Sequence, residues 1–167
     1  MRLTQWRTLL FTSTLLGGAW AKKGDDPAVA QKKFDFIPRD VNYFDDSDTL
    51  LMIDANRYNA YRSEDAGVSW KLLDGVPEGK LMELVMHPFD NKRAYVITDE
   101  KEHYLTVNRG KSWEKFVAES QASIFRDALT FHATDPNRII FNAMECTGIF
   151  CEELVRCQTC VMQLSFC

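Results

Sequence analysis

An all-β chain built from repeated four-stranded antiparallel units is what this sequence predicts, on three observations. The segment Ser63-Glu64-Asp65-Ala66-Gly67-Val68-Ser69-Trp70 returns in altered form as Thr106-Val107-Asn108-Arg109-Gly110-Lys111-Ser112-Trp113, an offset of 43 residues. A second pair, His87-Pro88-Phe89-Asp90-Asn91-Lys92-Arg93 and His132-Ala133-Thr134-Asp135-Pro136-Asn137-Arg138, is offset by 45. Between the copies lie four short runs rich in β-branched and aromatic residues, bounded by turn residues and lacking a helical period. A period of about 40–50 residues with four strands is the unit of a β-propeller blade. About two and a half such blades fit in the chain.

The elements follow in order. In the first full repeat, Thr49 to Ile53, Tyr58 to Arg62 and Val68 to Leu73 read as strands, with turns at Asn56/Arg57 and Glu64 to Gly67. In the second, Leu84 to His87 ends at a Pro88/Asp90/Asn91 turn and Ala94 to Thr98 follows. A polar break, Asp99-Glu100-Lys101, leads to His103 to Val107, and the Asn108-Arg109-Gly110 turn leads to Ser112 to Val117. Ala128 to His132 and Arg138 to Asn142 open a third repeat. The stretch from Glu114 to Leu129 has helix-compatible residues, but its apolar pairs Phe116/Val117 and Ile124/Phe125 do not recur at 3.6, so it reads as a connection between blades.

The repeated octapeptide has the chemistry of a hairpin staple. Asp65 can accept hydrogen bonds from backbone N–H groups of its own turn. Gly67 supplies a positive φ without a Cβ clash. Trp70 can lay its ring over the turn, and Ser63 completes the pattern. Thr106, Asn108, Gly110 and Trp113 hold the same places in the second copy, where Asn108 accepts without a full charge. A catalytic reading of Asp65 conflicts with the repetition, because an enzyme needs one acid in one place.

This octapeptide resembles the Asp-box of propeller proteins, and Ser63 to Trp70 matches it at every fixed position. The flanks Trp70-Lys71-Leu72-Leu73-Asp74-Gly75-Val76-Pro77, His87-Pro88-Phe89-Asp90-Asn91, Asn108 to Trp113 and Leu129-Thr130-Phe131-His132 resemble the luminal start of fungal vacuolar protein-sorting receptors of the sortilin family. The resemblance covers about Asp35 to Glu153. It implies a ten-bladed luminal propeller, a cysteine-rich module, one membrane span and a cytosolic tail. The job it implies is carrying soluble hydrolases from the late Golgi to the vacuole, with no enzymatic chemistry. It also implies a short disulfide loop for which Cys146 and Cys151 are the matching partners, in a compartment that favours oxidation. Only two and a half blades are present and no third Asp-box appears near 149–158, so the resemblance implies a truncated product or an incomplete gene model. Such a fragment is expected to bind cargo weakly or not at all.

The expected organisation is a signal peptide at 1–21, a linker at 22–34, an incomplete sortilin-type propeller at 35–153 and a cysteine-containing tail outside the family pattern at 154–167. Arg2 and Arg7 precede an apolar run from Leu9 to Trp20, and Ala19-Trp20-Ala21 has small residues where a signal peptidase cuts. Cleavage there takes the formal charge from -4 to -6 and places the product in the secretory lumen, in Golgi, endosome or vacuole by resemblance, or outside the cell. The apolar run falls short of the ~20 residues that span a bilayer, and no later segment is long and apolar enough to do so. There is no Asn-x-Ser/Thr sequon.

Other function classes fare worse. The acidic balance argues against a nucleic-acid partner. Phe36-Ile37-Pro38-Arg39 has the letters of a sialidase start in the wrong order, and Arg39, Arg62 and Arg93 sit on different repeats, which leaves a glycan-processing enzyme as the alternative, with a non-functional product as a third reading. No catalytic residue, cofactor site or metal site is assigned. Cys157-Gln158-Thr159-Cys160 lacks a second Cys-x-x-Cys and a nearby His. The pairing of Cys157, Cys160 and Cys167 stays open. His87, His103 and His132 read as solvated or locally bonded, and Asp45-Asp46-Ser47-Asp48 as a turn without the Gly and distant Glu of an EF-hand.

Overall fold

The structure, a computed structural model, describes residues 31–147, 150–155 and 160–161. The leader at 1–21, most of the linker at 22–34, Cys157 and Cys167 lie outside the described residues. The described chain is all-β and carries three antiparallel sheets. Strands β1 (Pro38–Tyr43), β2 (Leu50–Asp54), β3 (Asn59–Ser63) and β4 (Lys71–Leu72) form the first, paired in chain order. Strands β5 (Leu81–Met86), β6 (Ala94–Thr98), β7 (Glu102–Thr106) and β8 (Glu114–Val117) form the second in the same order. This succession of up-and-down four-stranded sheets is part of a β-propeller.

The third sheet is built on one long strand. β9 (Gln121–Ala122), β10 (Leu129–Phe131), β11 (Arg138–Thr147), β12 (Phe150–Val155) and β13 (Cys160–Val161) make it up, and the other four all pair with β11. β9 and β12 flank the C-terminal half of β11, through Ala143 and Met144. β10 and β13 flank its N-terminal half, through Ile139. Pairing with β11 therefore continues through Val155 and on to Cys160 and Val161.

The middle sheet is covered on both faces, and β6 shows how the sequence arranges it. Every residue from Ala94 to Thr98 is buried. Because side chains alternate across a strand, Ala94 and Val96 face the first sheet, packing with Phe44, Leu51, Ile53, Leu81 and Leu84. Tyr95 and Ile97 face the third, packing with Leu105, Leu129, Ile139 and Phe141. A strand buried on both faces reads as a continuous apolar run, which is why Ala94-Tyr95-Val96-Ile97-Thr98 is legible from sequence. Full burial of each such large side chain is worth about 1.5–3 kcal/mol. The two layers between sheets are the main cohesive force of the described chain.

β1 escapes the sequence because none of its six residues is buried. It starts at Pro38, which lacks an N–H but is tolerated as the first residue of a strand. Its register with β2 shifts between Arg39 and Asn42, with Asp40 at φ 51°. No helix among the described residues is long and apolar enough to cross a membrane.

Candidate functional site: the Asp-box hairpins and blade junctions

The first Asp-box forms the β3–β4 hairpin. Ser63 ends β3 with its side chain buried, and its Oγ accepts from the N–H groups of Asp65 (3.3 Å) and Gly67 (2.9 Å). The same hydroxyl donates to Asp65 Oδ1 at 2.8 Å. Asp65 Oδ1 also accepts from Ser69 N–H at 2.8 Å, and Oδ2 accepts from the Ser69 hydroxyl at 2.6 Å. These donors hold the carboxyl of Asp65 down at about 2, the Ser69 hydroxyl contributing most. Ala66 and Gly67 take φ of 55° and 90°, turning the chain. Trp70 Nε1 donates to Gly67 O at 2.9 Å, so the indole closes over the turn it follows.

The second copy repeats this wiring between β7 and β8. Thr106 Oγ1 accepts from Asn108 N–H (3.3 Å) and Gly110 N–H (2.9 Å) and donates to Asn108 Oδ1 (2.9 Å). Asn108 Oδ1 takes the N–H groups of Lys111 and Ser112 at 3.1 and 3.0 Å. Its Nδ2 donates to Ser112 Oγ at 2.7 Å, so the amide reverses the direction of one hydrogen bond that a carboxylate would accept. Arg109 and Gly110 repeat the paired positive φ at 60° and 73°. The tryptophans differ. Trp113 packs against the layer between the first two sheets, and its Nε1 is buried without a hydrogen-bond partner.

Each Asp-box leans on the turn at the start of its own sheet. Ala66 N–H donates to Asp48 O, and Arg109 N–H donates to Lys92 O, both at 2.9 Å. Those earlier turns carry the second repeated motif. His87 N–H bonds Arg93 O, and Arg93 N–H bonds Asp90 O, each at 3.1 Å. His132, Asp135 and Arg138 repeat both bonds at the same distances. The guanidiniums close the motif, Arg93 Nε lying 2.8 Å from Asp90 Oδ2 and Arg138 Nε 3.0 Å from Asp135 Oδ2. Phe44 and Thr49 fill the equivalent places in the first sheet, where Phe44 N–H bonds Thr49 O at 3.0 Å. Sequence comparison of two histidine-containing copies does not find this third one, because only the backbone bond is shared.

The junctions are held by arginines reaching across. Arg62 Nε donates to Arg109 O (2.8 Å), Arg39 Nη2 to Met82 O (2.7 Å), and Arg93 Nη1 to Pro136 O and Asn137 Oδ1 (both 2.9 Å). The histidines are all locally bonded through Nδ1: His87 takes Phe89 N–H, His103 takes Thr98 N–H, and His132 takes Thr134 and Asp135 N–H. They are not equally solvated. His132 is exposed, whereas His87 and His103 are buried in the layer between the second and third sheets, against Phe131 and against Phe116 and Phe141 respectively. Burial pushes the His103 imidazolium down to about 4 and lowers that of His87. Among the described residues no group of three His, Cys, Asp or Glu side chains converges as a metal site would.

Cys146 and Cys151 lie directly opposite each other in the β11–β12 pair and are joined by a disulfide. Asp45 to Asp48 form a turn in which Ser47 Oγ bonds Phe44 O.

Residues 58–161 match the family model Sortilin-Vps10, described as sortilin, neurotensin receptor 3. The chain is similar to proteins named vacuolar protein sorting/targeting protein 10 in several fungi. It is 52% identical to that of Verticillium alfalfae over 154 residues, covering 89% of this chain and 10% of the relative. It is 50% identical to that of Chaetomium globosum over 140 residues, covering 83% of this chain and 9% of the relative. For Neurospora crassa the figures are 44% over 153 residues, 89% and 10%. The chain thus spans about a tenth of the length of the curated relatives it matches. With the family model matching well over half of its residues, the chain belongs to the Sortilin-Vps10 family.

Proposed function

We propose that this chain is the start of the luminal propeller of a vacuolar protein-sorting receptor, a non-enzymatic protein that binds soluble hydrolases in the late Golgi and delivers them to the vacuole. The observation that carries this reading is the 52% identity, over 89% of the chain, to a protein named for vacuolar sorting and targeting. The wiring of the Asp-boxes supports it. Both oxygens of Asp65 are occupied by its own hairpin, and the equivalent Asn108 cannot donate a proton as an acid would. Ser63, Asp65, Gly67 and Trp70, with Thr106, Asn108, Gly110 and Trp113, act as turn staples, and the Cys146–Cys151 pair ties the β11–β12 hairpin. Residues 35–153 form the propeller part, preceded by a cleaved leader.

Disruption of the gene tests the proposal. Soluble vacuolar hydrolase activity should then rise in the medium and fall in the vacuole, with total activity unchanged. Hydrolases that still reach the vacuole in normal amounts would contradict it.

A further inference from the structure

The junction of the first two sheets holds a cationic groove of about 360 Å³, lined by Thr49, Arg62, Glu64, Lys92, Asn108, Arg109 and Lys111. Four cations and one carboxylate meet there, in a chain whose formal charge is -4. We propose that this groove binds an acidic peptide segment of a partner protein through its carboxylates.

Three features point to that ligand. The arginines have unused donors: Arg62 Nη2 and Arg109 Nε are both buried without a hydrogen-bond partner. A buried N–H left unpaired is costly, more so when it carries charge, and a planar guanidinium fork fits a carboxylate. Arg109, Lys92 and Lys111 form no ion pair among the described residues, in contrast to Lys80 and Lys115, which pair with Glu100 and Glu102. The groove also already accepts one carboxylate. Glu64 Oε1 lies 2.6 Å from Arg62 Nη1, and its carboxyl is held below the usual range first by that hydrogen bond and the charge of Arg62, then by Lys71 and Lys111. An incoming glutamate would meet the same cations with its own oxygens.

The neighbouring cleft shares Arg62, Glu64 and Lys111 but adds Asp65 and Asp74 against Lys71, so its charges balance. The positive excess is confined to the Lys92–Arg109–Lys111 side. Two sheets contribute, Arg62 from the first and Lys92, Arg109 and Lys111 from the second, held in register by the Arg62 Nε to Arg109 O bond. This surface lies at the Asp-box end of the blades, and the inference goes beyond the cargo reading and does not depend on it.

Calorimetric titration of the full chain with a tetra-glutamate peptide, beside a tetra-glutamine peptide, tests it. The glutamate peptide should bind, more weakly as salt is added, and the glutamine peptide should not. Lys92→Glu with Lys111→Glu should weaken binding by about tenfold or more. Both side chains are exposed, so circular dichroism should show an unchanged fold. Lys33→Glu, an exposed cation outside the groove, should leave affinity as it was. Equal binding of both peptides, no binding of the glutamate peptide, or unchanged affinity in the double variant would overturn the proposal.

Discussion

At the scale of single residues, Asp65 and His103 both titrate below their usual values when folded, and both therefore lose stability as pH falls, in different windows. Asp65 is ionised in the folded chain down to about 2, against a usual 3.8. The folded state therefore binds fewer protons than the unfolded one between those values, and the stability this carboxylate contributes is complete above about pH 4 and lost as pH falls toward 2. Asp65→Asn should be less stable than the parent at pH 6, and urea denaturation should show the difference narrowing at pH 3. His103 also titrates low, at about 4 against a usual 6.5. Burial keeps it neutral, so its contribution is complete above pH 6.5 and is lost as pH falls from there toward 4. Between pH 7.5 and pH 5 the expected loss from this residue is about 2 kcal/mol. In His103→Asn, whose amide oxygen can still accept from Thr98 N–H, the same denaturation series should be flatter by that amount. The sequence showed a histidine on a strand but not its depth, because a neutral imidazole among Phe116 and Phe141 leaves no mark in the residues next to it.

At the scale of the element, the two Asp-box hairpins have the same local wiring and different surroundings. A Cβ on Gly67 would meet only Trp70, at 3.7 Å, whereas one on Gly110 would meet Leu51 Cδ2 and Arg62 Cδ of the neighbouring sheet at 3.2 Å. Gly67→Ala should cost about 1 kcal/mol for its left-handed φ. Gly110→Ala should cost about 2–3 kcal/mol, because crowding at the junction adds to the strain. Comparison of urea midpoints for the two variants checks the ranking. The hairpin from β11 to β12 makes a chemical prediction: peptide mapping under non-reducing conditions should recover Cys146 joined to Cys151. Repeated turns were legible because Asp, Gly and Trp act within eight residues of each other. β1 was not, since its partly exposed residues carry no apolar alternation, and neither was β9, which is two residues long. The groove between Arg62 and Lys111 was equally silent, because pairing across a junction brings together cations that the sequence spreads over fifty residues.

At the scale of the molecule, cohesion comes from stacking. The second sheet has a neighbour on each face, and its central strand β6 shares side chains between two apolar layers. The first and third sheets each meet the second through one face. β8, by contrast, is an edge whose residues are exposed apart from Phe116. Local stability should follow that arrangement, since opening free energies are highest where both faces are packed. Hydrogen exchange of the full chain, resolved to individual strands, measures this directly. If the chain is a stack of propeller blades, amides of β6 should exchange slowest and those of β8 fastest within the second sheet. Exchange of β6 as rapid as that of β8 would contradict the stack.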